Sequence, residues 1–240
     1  MVVKSQLKYI KSLQQKKYRM QYKRFVAEGF KTVEELLRAG WKAELLFATE
    51  TGLDKELGSN TQLISPKQMS QISSFKTPSK VLGVFEVPEA GEVDFTDWIV
   101  ALDKVRDPGN LGTIIRLCDW FGITHLVCST DTVEAFNPKV LQATMGSIAR
   151  VDITYTDLPS FLKDADVPVF GAFMDGKSVY DTELPSFGIL VMGNEANGIS
   201  KEVSDVIRNK ISIPQYGKPS AESLNVATAT AILLNELRRS

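Results

Sequence analysis

The chain has 240 residues, 43% of them hydrophobic and 24% charged, with a formal net charge of −1. That length predicts one or two domains of ordinary soluble composition, no apolar run approaches the roughly 20 residues of a membrane span, and the near-zero charge argues against indiscriminate polyanion binding. Two cysteines, Cys118 and Cys128, and the single His125 supply neither a disulfide framework nor a zinc cage. The basic start lacks the apolar stretch and cleavage site of a secretory signal, which points to a cytoplasmic protein with no metal and no membrane association.

Before Glu28 the chain contains no acidic residue, while Lys4, Lys8, Lys11, Lys16, Lys17, Arg19, Lys23 and Arg24 are interleaved with Tyr9, Tyr18 and Tyr22. Cations that neutralise phosphates, set beside rings that stack on unpaired bases, suit an RNA-facing arm with Lys16, Lys17, Arg19 and Arg24 as candidates. A solvated helix face reads the same way. Residues 5–15 are predicted helical, Arg24 to Glu28 a strand, and Thr32 to Arg38 a helix stopped at Gly40. Strands are predicted at Ala43 to Thr49, Gln62 to Ser65 and Val81 to Val87, with a helix opening at Pro66. The polar PEAGEVD stretch from Pro88 to Asp94 breaks the periodicity and reads as a linker.

Beyond it, short continuous apolar runs recur at 98–102, 125–128, 167–173, 188–192 and 211–214, separated by helical segments at 113–121, 138–147, 158–163, 200–207 and 223–239. This rhythm predicts an α/β fold with a parallel sheet covered on both faces. Three Gly/Asn-rich loops follow strands, where open α/β sheets bind ligands. The first runs from Asp103 through Pro108, Gly109 and Asn110 into a helix carrying Arg116. The second is Gly193-Asn194-Glu195-Ala196-Asn197-Gly198, which offers convergent polar groups against open backbone. The third extends from Ile213 through Ser223, Leu224 and Asn225, with Ser223 a candidate cap and Asn225 a poor helix former in a first turn. Each loop taken alone also fits a structural turn. His125 opens an apolar strand and reads as structural. Asp103 and Asp107 are too few for a metal cage, and turn formation accounts for Asp107.

In order and spacing, DPGNLGTIIR, VMGNEANGIS and ISIPQYG followed by SLNVATATAILL resemble the three signature motifs of the SpoU/TrmH family of RNA 2′-O-ribose methyltransferases, part of the SPOUT superfamily. They cover residues 98–240 nearly continuously. RFVAEGFK, residues 24–31, also resembles the opening of the L30e-like substrate-binding domain often fused to that catalytic domain. The resemblance implies an L30e-like RNA-binding domain over residues 1–90 and a methyltransferase domain over 95–240 whose C-terminal part forms a trefoil knot. It implies S-adenosyl-L-methionine as cofactor, held by Phe173, Met174, Gly193, Asn194, Gly198, Ile213 and Leu224. It also implies a ribose hydroxyl of rRNA or tRNA as methyl acceptor, and a homodimer formed through the catalytic domain. Arg116 carries over as the principal catalytic residue, with Asn110, Glu195, Ser223 and Asn225 completing the site. Because a guanidinium is a poor base, Arg116 is read as orienting phosphate and hydroxyl, with the proton acceptor open between Arg116, a target phosphate and water. A non-catalytic RNA-binding protein of the same fold, or a base-methylating SPOUT enzyme, is the alternative.

Overall fold

The computed structural model describes residues 3–216 and 223–239, and the chain divides into two units. The opening elements are α1 (Lys4–Ser12), α2 (Lys16–Tyr22), β1 (Arg24–Glu28), α3 (Phe30–Arg38), β2 (Ala43–Ala48), α4 (Leu53–Leu57), β3 (Gln62–Leu63), α5 (Pro66–Ile72) and β4 (Val81–Glu86). The strands form a sheet in the order β1-β4-β2-β3, antiparallel except for the β2–β3 pair. Strand alternation sends Val26, Phe47, Leu82 and Val84 to one face, where they bury Ile10 and Leu13 of the α1 region and Met69 and Ile72 of α5. Helix α5 starts where Pro66 predicts, with Ser65 and Gln68 forming a reciprocal capping box. Helix α2 and the short α4 carry no clear apolar period, so neither is predicted from sequence. Lys23 in the left-handed region (φ 49°) stops α2 and turns the chain into β1.

The second part continues with β5 (Trp98–Leu102), α6 (Pro108–Trp120), β6 (His125–Ser129), α7 (Pro138–Thr144), β7 (Asp152–Thr156), α8 (Leu158–Asp164), β8 (Val169–Ser178), β9 (Gly188–Met192), α9 (Lys201–Ser204), β10 (Asn209–Ser212) and α10 (Val226–Leu237). Six parallel strands lie in the order β10-β8-β9-β5-β6-β7. Central β5, β6 and β9 are buried throughout, as their unbroken apolar runs predict for a sheet covered on both faces. Ile99, Ala101, Val127, Ile189 and Val191 pack on one face with Leu158 and Leu162 of α8 and Val203 of α9. Helices α6 and α10 pack against each other. The end of α10 is tied to the start of β5 by a bidentate Arg238–Asp97 pair at 2.7 Å, whose hydrogen bonds hold the Asp97 carboxyl below its usual range. Burial pushes both thiols up, Cys118 to about 12, so each is a small apolar core residue.

Several boundaries differ from the sequence expectation. The helix expected from Thr113 begins at Pro108, capped by Asp107, whose Oδ1 accepts from Asn110 N at 2.8 Å. Strand β8 runs to Ser178, well past Phe173. The polar edge strand β7 was not expected: DITYT alternates and is β-branched, but it lacks the apolar run that marks its neighbours.

The larger difference concerns residues 134–150, which the motif reading places in the second domain. They belong to the first unit, with residues 1–89, while residues 90–133 and 151–240 form the second. Phe136 joins the aromatic cluster on the other face of the first sheet, 4.7 Å from Phe25, with Trp41 and Phe85 also around Phe25. Arg150 pairs with Glu35. Arg19 is 3% exposed and binds Glu134 through Nε at 3.0 and 3.1 Å, and its Nη1 donates to Leu13 O at 2.8 Å.

Candidate active site at the C-terminal ends of the sheet

The first and second Gly/Asn loops leave β5 and β9, adjacent central strands, so both emerge at one end of the sheet. The third segment ends at α10, whose packing on α6 returns it to the same end. Helix α10 starts at Val226 with Asn225 as its cap: Asn225 Oδ1 accepts from Ala227 N at 2.9 Å and Thr228 N at 3.2 Å. Ser223, the expected cap, lies two residues before the actual cap and is exposed.

That cap dictates a directional chain. With its oxygen committed to backbone N–H groups, Asn225 must present its amide nitrogen outward, and Nδ2 donates to Asn110 Oδ1 at 2.9 Å. Asn110 must then turn its own nitrogen away, and Nδ2 donates to Glu195 Oε1 at 2.8 Å. One residue from each of three motifs thus joins in a single run of hydrogen bonds that ends on a carboxylate.

The loop bearing Glu195 is a closed miniature hairpin. Asn194 and Gly198 exchange N–H···O bonds at 2.9 Å, Gly198 sits at φ +66°, and a Cβ on Gly193 would lie 2.3 Å from the Gly198 carbonyl carbon. Glycine is required at Gly198 by its dihedral and at Gly193 by that close approach. Asn194, expected to touch cofactor, has a side chain that organises this loop: its Nδ2 donates to Lys104 O at 2.7 Å and its Oδ1 accepts from Ala196 N at 2.9 Å. Those bonds occupy its side chain.

The remaining expected residues are more dispersed. Arg116 is exposed on α6, on the stripe it shares with Gly109, Thr113 and Trp120, and among the described residues it makes no ion pair or hydrogen bond to the amide chain. Phe173 is half-buried with Lys210 Nζ 4.5 Å from its ring centroid, and Gly171 lies close against that ring, so Phe173 packs under the β8–β10 edge. Met174 is 65% and Leu224 49% exposed, and Ile213 is half-buried. Residues 217–222 of the third motif lie outside the described residues. In the first unit Lys16 and Lys17 are exposed, whereas the other two arm candidates are engaged: Arg19 as above, and Arg24 with Glu44 at 2.8 Å and Glu86 at 3.0 Å. Their acidic partners, Glu134, Glu44 and Glu86, all lie beyond residue 28, outside the arm itself. Among the described residues no group of three or more His, Cys, Asp or Glu could hold a metal ion, and no helix is long and apolar enough to cross a membrane.

Asp103, weighed from sequence only as one of two carboxylates too few for a metal cage, joins two of the loops. It is 1% exposed; its N–H donates to Met192 O at 2.9 Å and its Oδ2 accepts from Ser200 N at 2.6 Å, which ties the first loop to the end of the second. Lys104, left-handed at φ 56°, donates its N–H to Ser129 Oγ at 2.8 Å. An acidic residue directly after an apolar strand is the only sequence signal for this role.

Asn225 serves as cap and as donor, and substitution separates the two. Asn225→Ser keeps a capping oxygen and is expected to cost a few tenths of a kcal/mol, while Asn225→Ala is expected to cost about 1 kcal/mol. Both release Asn110, read as faster exchange of its side-chain amide protons by NMR. Equal stability losses in urea melts would show that the cap contributes nothing.

This convergence agrees with what the chain resembles. Residues 97–235 match the SpoU rRNA Methylase family, and residues 4–83 match the MRM3-like substrate binding domain. The chain is 35% identical over 237 residues to the 23S rRNA (guanosine(2553)-2′-O)-methyltransferase of Bacillus subtilis, covering 95% of this chain and 94% of that protein. A TrmH-family structure from Porphyromonas gingivalis superposes with a TM-score of 0.93 at 39% identity, covering 100% of this chain and 99% of that one. The AdoMet-bound rRNA methyltransferase of Sinorhizobium meliloti gives 0.88 at 31% identity, covering 100% and 97%. With the matched region spanning all three loops and the whole amide chain that joins them, the protein belongs to the SpoU rRNA methylase family.

Proposed function

We propose that this chain transfers a methyl group from S-adenosylmethionine to a ribose 2′-hydroxyl of RNA. The observation that carries the reading is the Asn225–Asn110–Glu195 run, which brings one polar residue from each motif to the ends of the central strands. Ribosomal RNA is the favoured substrate, since the Bacillus subtilis relative, aligned along nearly its whole length, is named for 23S rRNA. The residues present fit the cofactor: the closed Gly193–Gly198 loop exposes backbone, Ile213 and Leu224 add apolar surface, and the buried Asp103 Oδ1 has no partner among the described residues. When bound, the cofactor supplies an electrophilic methyl on a sulfonium. The protein's own task is positioning. Asn110 and Glu195 present a donor–acceptor pair whose direction is set by the α10 cap, and Arg116, exposed on α6, offers a planar cation for a phosphate beside the target ribose.

Nucleoside analysis of RNA labelled with tritiated methyl tests the reading directly: label in a 2′-O-methylnucleoside supports it, and label on a base, or none, refutes it. In the same assay Arg116→Ala is expected to lower the rate by about 10²–10⁴-fold, because a group that orients the nucleophile acts in the transition state. Arg116→Lys should fail substantially too, a point charge being no substitute for a planar fork. Cofactor titration should be unchanged in both; near wild-type methylation by the Ala variant would remove Arg116 from the mechanism.

The first unit is assigned RNA capture, supported by its match to a substrate-binding domain and by exposed Lys16 and Lys17 beside Tyr18 and Tyr22, which stack at 6.2 Å. Replacing Lys16 and Lys17 together by Ala should weaken RNA binding and flatten its salt dependence while leaving melting unchanged. Arg19→Ala should instead destabilise the fold by about 3 kcal/mol, since it removes a buried guanidinium and leaves the partly buried Glu134 without its partner. RNA affinity that ignores the lysine changes would exclude the arm.

A homodimer through α6 and α10 completes the reading. Trp120 is 83% exposed at the end of α6, on the same stripe as Arg116, and a solvent-facing tryptophan on a helix pair is a natural anchor for an isologous interface. Sedimentation at micromolar concentration should show a dimer that Trp120→Glu dissociates; a monomeric wild type would refute it.

A further inference from the structure

Asp103 is an acidic residue at a place where the architecture of the site uses only a single hydrogen-bond acceptor. Burying a carboxylate is costly unless it is paired and fully hydrogen-bonded. Asp103 is 1% exposed, its Oδ2 receives one hydrogen bond, from Ser200 N at 2.6 Å, its Oδ1 receives none, and no ion pair with it occurs among the described residues. Tethering Ser200 needs only an acceptor oxygen, which the isosteric neutral Asn would supply equally well. The residue lies under both ends of the Gly193–Ser200 loop: it binds Ser200 directly, and the carbonyl of its neighbour Lys104 holds Asn194 at 2.7 Å. A ligand seated on that loop therefore feels the field of a desolvated carboxylate, little screened by water.

We propose that Asp103 is a specificity-determining residue whose buried charge favours the cationic methyl donor over its neutral product. The inference rests on the methyltransferase reading above. In the transfer, the carbon–sulfur bond to the methyl breaks with its electron pair left on sulfur, a carbon–oxygen bond to the ribose forms, the hydroxyl proton passes to water, and the sulfonium becomes an uncharged thioether. A fixed negative charge below the loop interacts favourably with the first species and indifferently with the second. The same charge that holds the donor thereby releases S-adenosylhomocysteine once the methyl has gone, which limits product inhibition.

The test is calorimetric titration of full-length wild type and Asp103→Asn with S-adenosylmethionine and S-adenosylhomocysteine, together with melting of the free proteins. Asp103→Asn is expected to weaken S-adenosylmethionine roughly tenfold while leaving S-adenosylhomocysteine within about twofold, with the free variant melting at or above wild type. An equal loss for both ligands, or no loss for either, overturns the proposal and leaves Asp103 a tether of the loop. A second measurement needs no variant: the wild type should bind sinefungin, which has a protonated amine at the sulfonium position, more tightly than S-adenosylhomocysteine. Absence of that preference also overturns it. Wild type that binds none of the three ligands refutes the methyltransferase reading itself, a result distinct from any failure of Asp103 alone.

Discussion

The arrangement of the site depends on the need of one helix to satisfy its first N–H groups. Helix α10 begins without a carboxylate or hydroxyl at its cap, so Asn225 supplies the oxygen, and an amide that gives its oxygen to the backbone has only its nitrogen left to point elsewhere. From that point the polarity of Asn110, and then of its contact with Glu195, follows by elimination. Local helix chemistry thus sets the orientation of an amide 115 residues away along the chain. A hydroxyl at position 225 would cap nearly as well but would rotate freely and transmit no direction.

Much of the second unit was legible in the sequence because parallel strands buried on both faces must be apolar at every position. WIVAL, HLVC and GILVM announce themselves, and loops after such strands are where ligands gather. What stayed hidden was pairing. Nothing in the spacing of Asn110, Glu195 and Asn225 indicates which of them donate and which accept. Nothing in the basic arm indicates that Arg19 and Arg24 are neutralised by Glu134, Glu44 and Glu86, or that Asn194 spends its amide on Lys104 O. Ser223 looked the better cap by residue preference, but the helix begins three residues later, and the preference passes to the residue that actually precedes it. Edge strand β7 was missed for the converse reason, that a strand exposed on one side carries polar residues the buried strands lack.

Charge is also distributed unevenly by function. The cations that hold the fold together are paired: Arg19 with Glu134, Arg150 with Glu35, Arg238 with Asp97. Arg116 and Asp103, by contrast, lack ion-pair partners among the described residues, the first exposed on α6 and the second enclosed beneath the loops. The ion pairs of the fold thus pass these two side chains by, and the proposals above for Arg116 and Asp103 start from that difference.

The return of residues 134–150 to the first unit bears on the order in which the chain can be built. Residues 1–89 leave the ribosome before residues 134–150, and Arg19 lacks Glu134 and Phe25 lacks Phe136 until the chain beyond residue 133 has emerged. The N-terminal unit therefore cannot complete its packing as an independent cotranslational module. During that interval β5, α6 and β6 wait without β9, the strand that flanks β5 on its other side. Synthesis of this protein passes through a stage at which both units are partly made and neither is finished, and the segment that closes the first is encoded inside the second.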